Sequence, residues 1–155
     1  MANDRNAQVL THPKHALPRS SAAPAPAETP VSALGLRRLV VIESPYGTNP
    51  DGSRVDAETL ARNERYLDAC MLDSFARGEF PFASHGLYPR VLRDARSEER
   101  ARGLEAGFAW GTCAPVRAFY VDLGFTDGMR AGREQALFLG QRIEYRNLPG
   151  WEGST

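Results

Sequence analysis

The sequence predicts an α/β fold, a flavodoxin- or Rossmann-like three-layer sandwich with a parallel sheet of four to five strands. Two observations carry this reading. From about residue 37, short apolar runs alternate with stretches of helical spacing, in the order β-α-β-α-β-α-β. The first run, Leu39-Val40-Val41-Ile42, is continuously apolar and partly β-branched, as a strand buried on both faces must be.

Each element has its own local reason. The first strand is bounded by Arg38 and by the turn residues Ser44-Pro45-Tyr46-Gly47, and Asn49-Pro50-Asp51-Gly52-Ser53 follows with the chemistry of a loop. Asp56 is placed to cap a helix in which Leu60, Leu67, Met71 and Phe75 recur on one face until Gly78 ends it. Phe80-Pro81-Phe82-Ala83 reads as a second strand leading to Ser84-His85-Gly86. Ser97-Glu98-Glu99 reads as a cap with acids in the first turn of a helix that carries Leu104 and Phe108 and ends near Gly111. Pro115 to Val121 is a third strand. Asp127 then starts a helix with Met129, Ala136 and Leu137 on its apolar side and Gly140 at its end, and Arg142-Ile143-Glu144-Tyr145 is a fourth strand.

Composition narrows the class of function. In 155 residues, 19 basic and 19 acidic side chains cancel, which excludes a chain held on a nucleic acid duplex by its overall charge. Lys14 is the only lysine, and the arginines are spread along the chain, as a coding bias would leave them. No apolar run approaches the ~20 residues of a membrane span, and Met1 to Leu10 lacks the apolar block of a signal peptide. Cys70 and Cys113 lack CxxC spacing and lie among apolar residues, so both read as buried, reduced thiols of a cytosolic protein. Residues 1–36 hold five of the 11 prolines and few large apolar side chains, and read as a disordered tail with a Pro/Ala linker over Ser20 to Pro30. His12, Lys14 and His15 lie there without a third ligand, so no metal site is expected. The folded domain is assigned to residues 37–150, with a short tail over 151–155.

In an open parallel sheet, ligands bind beyond the carboxyl ends of the strands, where the strand order reverses. The first strand delivers Ser44, Pro45, Tyr46 and Gly47 to that rim, the second Ser84 and His85, and the third Asp122, Gly124 and the helix start at Asp127-Gly128. An aromatic to stack, a helix N-terminus for a phosphate and carboxylates for sugar hydroxyls suit a nucleotide-like ligand. Each residue also has a plainer reading. Ser44 to Gly47 could serve only as a turn, His85 as a structural histidine, Asp122 as a turn cap and Asp127 as a helix cap. Glu98, Glu99, Arg100 and Arg102 read as a solvated helix face, and Trp110 and Trp151 as packing residues. GxGxxG, GxxxxGK[ST] and GxSxG patterns are all missing, so no dinucleotide fingerprint, P-loop or nucleophile elbow is expected.

Three pieces together, Ser44-Pro45-Tyr46 after the first strand, Ser84-His85 after the second, and Asp122-Leu123-Gly124 with Asp127-Gly128-Met129 before the last helix, resemble the nucleoside 2-deoxyribosyltransferase-like superfamily. The resemblance spans about 38–146 and is closest to a small branch found in phages and bacteria. It implies cleavage of the bond between a base and a (deoxy)ribose, with a helix glutamate attacking the anomeric carbon as in a retaining glycosidase. It also implies a small-molecule nucleoside or nucleotide as partner, a homo-oligomer, no cofactor, and a cytoplasmic protein of a bacterium or of a phage in its host. An arginine near the rim (Arg90, Arg93 or Arg130) would favour a phosphorylated substrate.

The chain departs from that pattern at one place. The family's nucleophile stands four residues before an alanine and eight before the helix-ending glycine. Counting back from Ala136 and Gly140 reaches Gly132. Glu134 is two residues on, about 200° around the helix. The catalytic candidates are therefore Glu134, Asp127 and Asp122, and the substrate-binding candidates are Ser44, Tyr46, Gly47, Ser84, His85, Gly128 and Met129. The expected function is N-glycosidic chemistry, as an N-deoxyribosyltransferase or nucleotide N-glycoside hydrolase. The alternative is a nucleotide-binding module of the same fold without catalysis.

Overall fold

Four strands form one all-parallel sheet in the order β2-β1-β3-β4. They are β1 (Leu39–Glu43), β2 (Phe80–Phe82), β3 (Val116–Tyr120) and β4 (Arg142–Arg146). The structure is a computed structural model that describes residues 38–49 and 53–151. The tail read over 1–36 with His12, Lys14 and His15, the loop residues 50–52, and 152–155 lie outside the described residues. Among the described residues no helix is long and apolar enough to cross a membrane.

The connections follow the predicted order. Helix α1 (Ala57–Ala76) joins β1 to β2. A short helix α2 (Ser84–Leu87), a 3-10 turn at Tyr88–Arg90 and helix α3 (Ser97–Gly111) join β2 to β3, and α4 (Asp127–Phe138) joins β3 to β4. Side chains alternate across a strand, and here the alternation sorts two layers. Val40, Ile42, Val116, Ala118 and Tyr120 pack with Tyr66, Leu67 and Cys70 of α1 in the buried core. Val41, Glu43, Arg117 and Phe119 point the other way, toward α3 and α4. That is the predicted three-layer sandwich, with four strands.

Asp56 caps α1 as its position suggested, its carboxylate accepting from Thr59 N at 2.7 Å. Gly78, with φ of 75°, makes the left-handed turn that β2 needs directly after the helix. Several local expectations shift. Thr126, not Asp127, caps α4, because its hydroxyl reaches Met129 N. Ser97 is the first residue of α3 rather than its cap, with Glu98 and Glu99 in the first turn as expected. Ser84 and His85, read only as the residues that follow the second strand, begin a helical turn. Cys70 is buried but Cys113 is exposed, just past the end of α3. Phe75 and Leu137 sit at core-like spacings and are nonetheless exposed. A 100° period marks a face, not how far the neighbouring layer extends over it.

Candidate functional site

The chain leaves β1 toward β2 on one side and returns past β1 to β3 on the other, so the carboxyl ends of β1 and β3 flank the point where strand order reverses. A cleft opens there. Its floor is Val41, Glu43 and Ser44 of β1 and its margin with Arg117 of β3; its walls come from α2, α3 and the start of α4. All seven residues nominated for substrate binding line it: Ser44, Tyr46, Gly47, Ser84, His85, Gly128 and Met129.

Packing positions them. Ser44 is buried where β1 ends, and its Oγ lies 2.9 Å from Nε2 of His85. Burial lowers the imidazole from 6.5 to about 4, so His85 is neutral at physiological pH. The ring of Tyr46 meets His85 edge-on, with centroids 5.8 Å apart. Its main chain is held from behind, the Tyr46 carbonyl accepting from Nδ2 of buried Asn63 at 2.6 Å. The Tyr46 hydroxyl donates to Glu64 at 3.1 Å. Ser84 is brought close to α3 by Gly107, where a Cβ would stand 2.6 Å from the Ser84 hydroxyl. The mouth carries Asp94 and Arg100, 3.8 Å apart. Arg100 thus belongs to the cleft rather than to a plain solvated face, whereas Arg90, Arg93 and Arg130 are outside its lining.

The three carboxylates nominated for catalysis are elsewhere. Asp122 lies on the α1 side of the sheet, where it accepts from Tyr66 at 2.5 Å, Asn147 at 3.1 Å and Leu148 N at 3.1 Å. Burial opposes its ionisation, but those hydrogen bonds outweigh it and hold the carboxyl below its ordinary value. Asp127 pairs with Arg130 on the exposed start of α4. Glu134 faces a shallow outer groove with Phe125, Arg130, Arg133 and Tyr145. None of the three lines the cleft.

On the floor of the cleft, away from Asp94 at its mouth, the carboxylate is Glu43, the last residue of β1. Its Oε1 accepts from Arg117 Nη1 at 3.0 Å, with the arginine side chain 1 % exposed and the glutamate 16 %. Burial pushes Glu43 up to about 7 against the opposing pull of Arg117. The guanidinium is fixed further by the Gly132 carbonyl at 3.1 Å and by Gln135 at 2.5 Å, and Gln135 is itself anchored on the Phe108 carbonyl. Its Nε has no partner among the described residues. Sequence reading passed over this pair because each member ends or interrupts an apolar run 74 residues from the other. The available signal was one acid and one base of opposite sign, each inside a strand otherwise apolar enough to be buried.

A family model described as a domain of unknown function, DUF7768, matches residues 38–146, well over half of the chain. The chain belongs to the DUF7768 family. The match starts just before β1 and ends with β4, so the DUF7768 domain comprises the whole sheet and every residue of the cleft. No curated protein and no solved structure matches the chain. Chemically, the DUF7768 cleft offers an aromatic edge, serine hydroxyls, a neutral imidazole and, in Glu43, a carboxyl pushed up to about 7. Such groups can hydrogen-bond a polar ligand and exchange a proton with it. Among the described residues no cluster of three or more His, Cys, Asp or Glu side chains is placed to hold a metal ion.

Proposed function

We propose that this protein acts on the N-glycosidic bond of a nucleoside or nucleotide, as an N-deoxyribosyltransferase or a nucleotide N-glycoside hydrolase. The observation that carries the reading is the convergence on one cleft of the seven residues nominated from three separate strand ends, with a buried carboxyl on its floor. The sequence resemblance to the nucleoside 2-deoxyribosyltransferase-like superfamily runs through those same segments. In this reading Tyr46 and His85 meet the base or sugar, and Ser44 and Ser84 bond hydroxyls. The start of α4 at Gly128 and Met129 and the Arg100 guanidinium suit a phosphate. The protein is then a cytoplasmic homo-oligomer of bacterial or phage origin, with a small-molecule partner.

Two observations favour a second reading, a nucleotide-binding module without catalysis. Gly132 stands where the superfamily places its nucleophile, and the cleft carboxylate is already engaged by Arg117. One experiment separates the two. The protein is incubated with ribo- and deoxyribonucleosides and their 5′-monophosphates, and free base is read by chromatography beside a thermal-shift measurement. Free base establishes the enzyme. Thermal stabilisation without free base establishes the binding module, and neither response removes both.

A further inference from the structure

We propose that Glu43 is the carboxylate that acts at the anomeric carbon, projecting from β1 into the space in front of Gly132 on α4. The inference rests on the glycosidic-bond reading and names the residue that performs it. Its basis is steric. A Cβ built on Gly132 would stand 2.5 Å from Glu43 Oε1, 2.9 Å from its Cδ and 3.2 Å from Arg117 Nη1. A side chain at 132 and the Glu43 carboxylate therefore claim the same volume, and only one of them can occupy it. In this chain the helix gives up its side chain and the strand supplies the acid.

The surroundings fit a reacting group better than a purely structural one. Arg117 engages Oε1, while Oε2 has no hydrogen-bond partner among the described residues. Glu43 lines the cleft beside Ser44, within the space that His85, Gly128 and Met129 also bound. Arg117 is a positioning residue. It fixes the carboxylate plane through one oxygen and leaves the second for substrate.

The step is balanced as follows. Oε2 of ionised Glu43 bonds to C1′ as the C1′–N bond breaks, and the bonding pair leaves on the base nitrogen, which takes a proton from water. A second water attacks C1′, the C1′–Oε2 bond breaks, and that water's proton goes to solvent. The carboxylate is regenerated and one water is consumed overall.

Two measurements test it on the full chain. In the first, Glu43→Gln is compared with wild type for base release on the nucleoside and nucleotide panel. The amide preserves the acceptor for Arg117, so the expected result is a loss of roughly a thousandfold or more. The double variant Glu43→Ala with Gly132→Glu returns a carboxylate to the same space from the helix and is expected to recover part of that loss. In the second, wild type is treated with a 2′-fluoro nucleoside, whose electron-withdrawing group slows an oxocarbenium-like step. The labelled peptide is then read by mass spectrometry, and a label on Glu43 supports the assignment whether or not the variants fold. Base release with the label on another residue, with no label, or undiminished in Glu43→Gln overturns the inference and leaves the glycosidic reading standing. No base release by wild type from any substrate overturns both.

Discussion

Arg117 and Glu43 form a diagonal ion pair between adjacent parallel strands. Arg117 is in register with Val41, and Glu43 lies two residues further along β1 on the same face, so the guanidinium reaches forward 3.0 Å to Oε1. The pair sits between the sheet and α4, and it couples the stability of the fold to the state of the cleft.

Removing one partner of a buried pair leaves an uncompensated charge, which typically costs about 3–5 kcal/mol. Arg117→Met is expected to lose stability by less than that range at neutral pH, because without the pull of Arg117 the remaining carboxyl moves higher still and takes up a proton. The double variant Arg117→Met with Glu43→Gln should be less destabilised than the sum of the two single changes. Urea denaturation of the four proteins completes the cycle. Strict additivity would show that the two side chains do not interact in solution.

The pH dependence of stability has two opposed parts. The folded value of Glu43 is raised from 4.5 to about 7, so its contribution is full below about 4.5 and is lost as pH rises through 7. The folded value of His85 is lowered from 6.5 to about 4, so its contribution is full above about 6.5 and is lost as pH falls through 4. Between these limits the two slopes partly cancel in wild type. Each single variant exposes the other slope. Glu43→Gln should lose stability as pH is lowered from 6.5 toward 4, and His85→Gln should lose it as pH is raised from 4.5 toward 7. Each change is on the order of 1–3 kcal/mol across the window. Denaturation midpoints at half-unit pH steps give the slopes, and identical profiles for all three proteins would contradict both assignments.

Gly132→Ala places a methyl group against a pinned carboxylate. Helix propensity alone would favour alanine by about 1 kcal/mol, but overpacking costs about 1–3 kcal/mol. Both members of the ion pair would have to move. A net loss of stability is expected. Gly128→Ala is the control, since its Cβ would meet nothing nearer than the Thr126 hydroxyl at 3.8 Å. A stabilised Gly132→Ala would mean that Glu43 moves aside freely.

The fold was legible because the signals that set it are local. A continuous apolar run, a cap at Asp56 and glycines at Gly78 and Gly140 each act within a few residues. The convergence of residues on the cleft was legible for a related reason: a parallel sheet sends every strand end to one rim, so Ser44, Tyr46, Ser84 and His85 had to meet there. The buried carboxylate of the cleft was not legible. Asp122, Asp127 and Glu134 follow strand or helix starts as a catalytic acid would, yet which face of the sheet Asp122 joins depends on Tyr66, 56 residues away. Glu43 escaped notice because a strand-end acid reads as the beginning of solvent unless its partner at 117 is known.

Those displaced carboxylates give the last expectation. Asp122 accepts three hydrogen bonds that tie the end of β3 to α1 and to the segment at Asn147 and Leu148. Asp122→Asn turns one acceptor oxygen into a donor facing donors, at a cost of about 1–3 kcal/mol. Asp127 and Glu134 carry no such burden. Among the described residues Asp127 pairs only with Arg130, at an exposed helix start, and Glu134 lies in an open groove. Asp127→Asn should cost at most about 1 kcal/mol, and Glu134→Ala about 0.5 kcal/mol or less. All three variants are expected to keep the wild-type thermal shift with bound nucleotide once their own change in baseline stability is subtracted. A Glu134→Ala protein that folds normally and loses that shift would move the site from the cleft to the outer groove beside Tyr145.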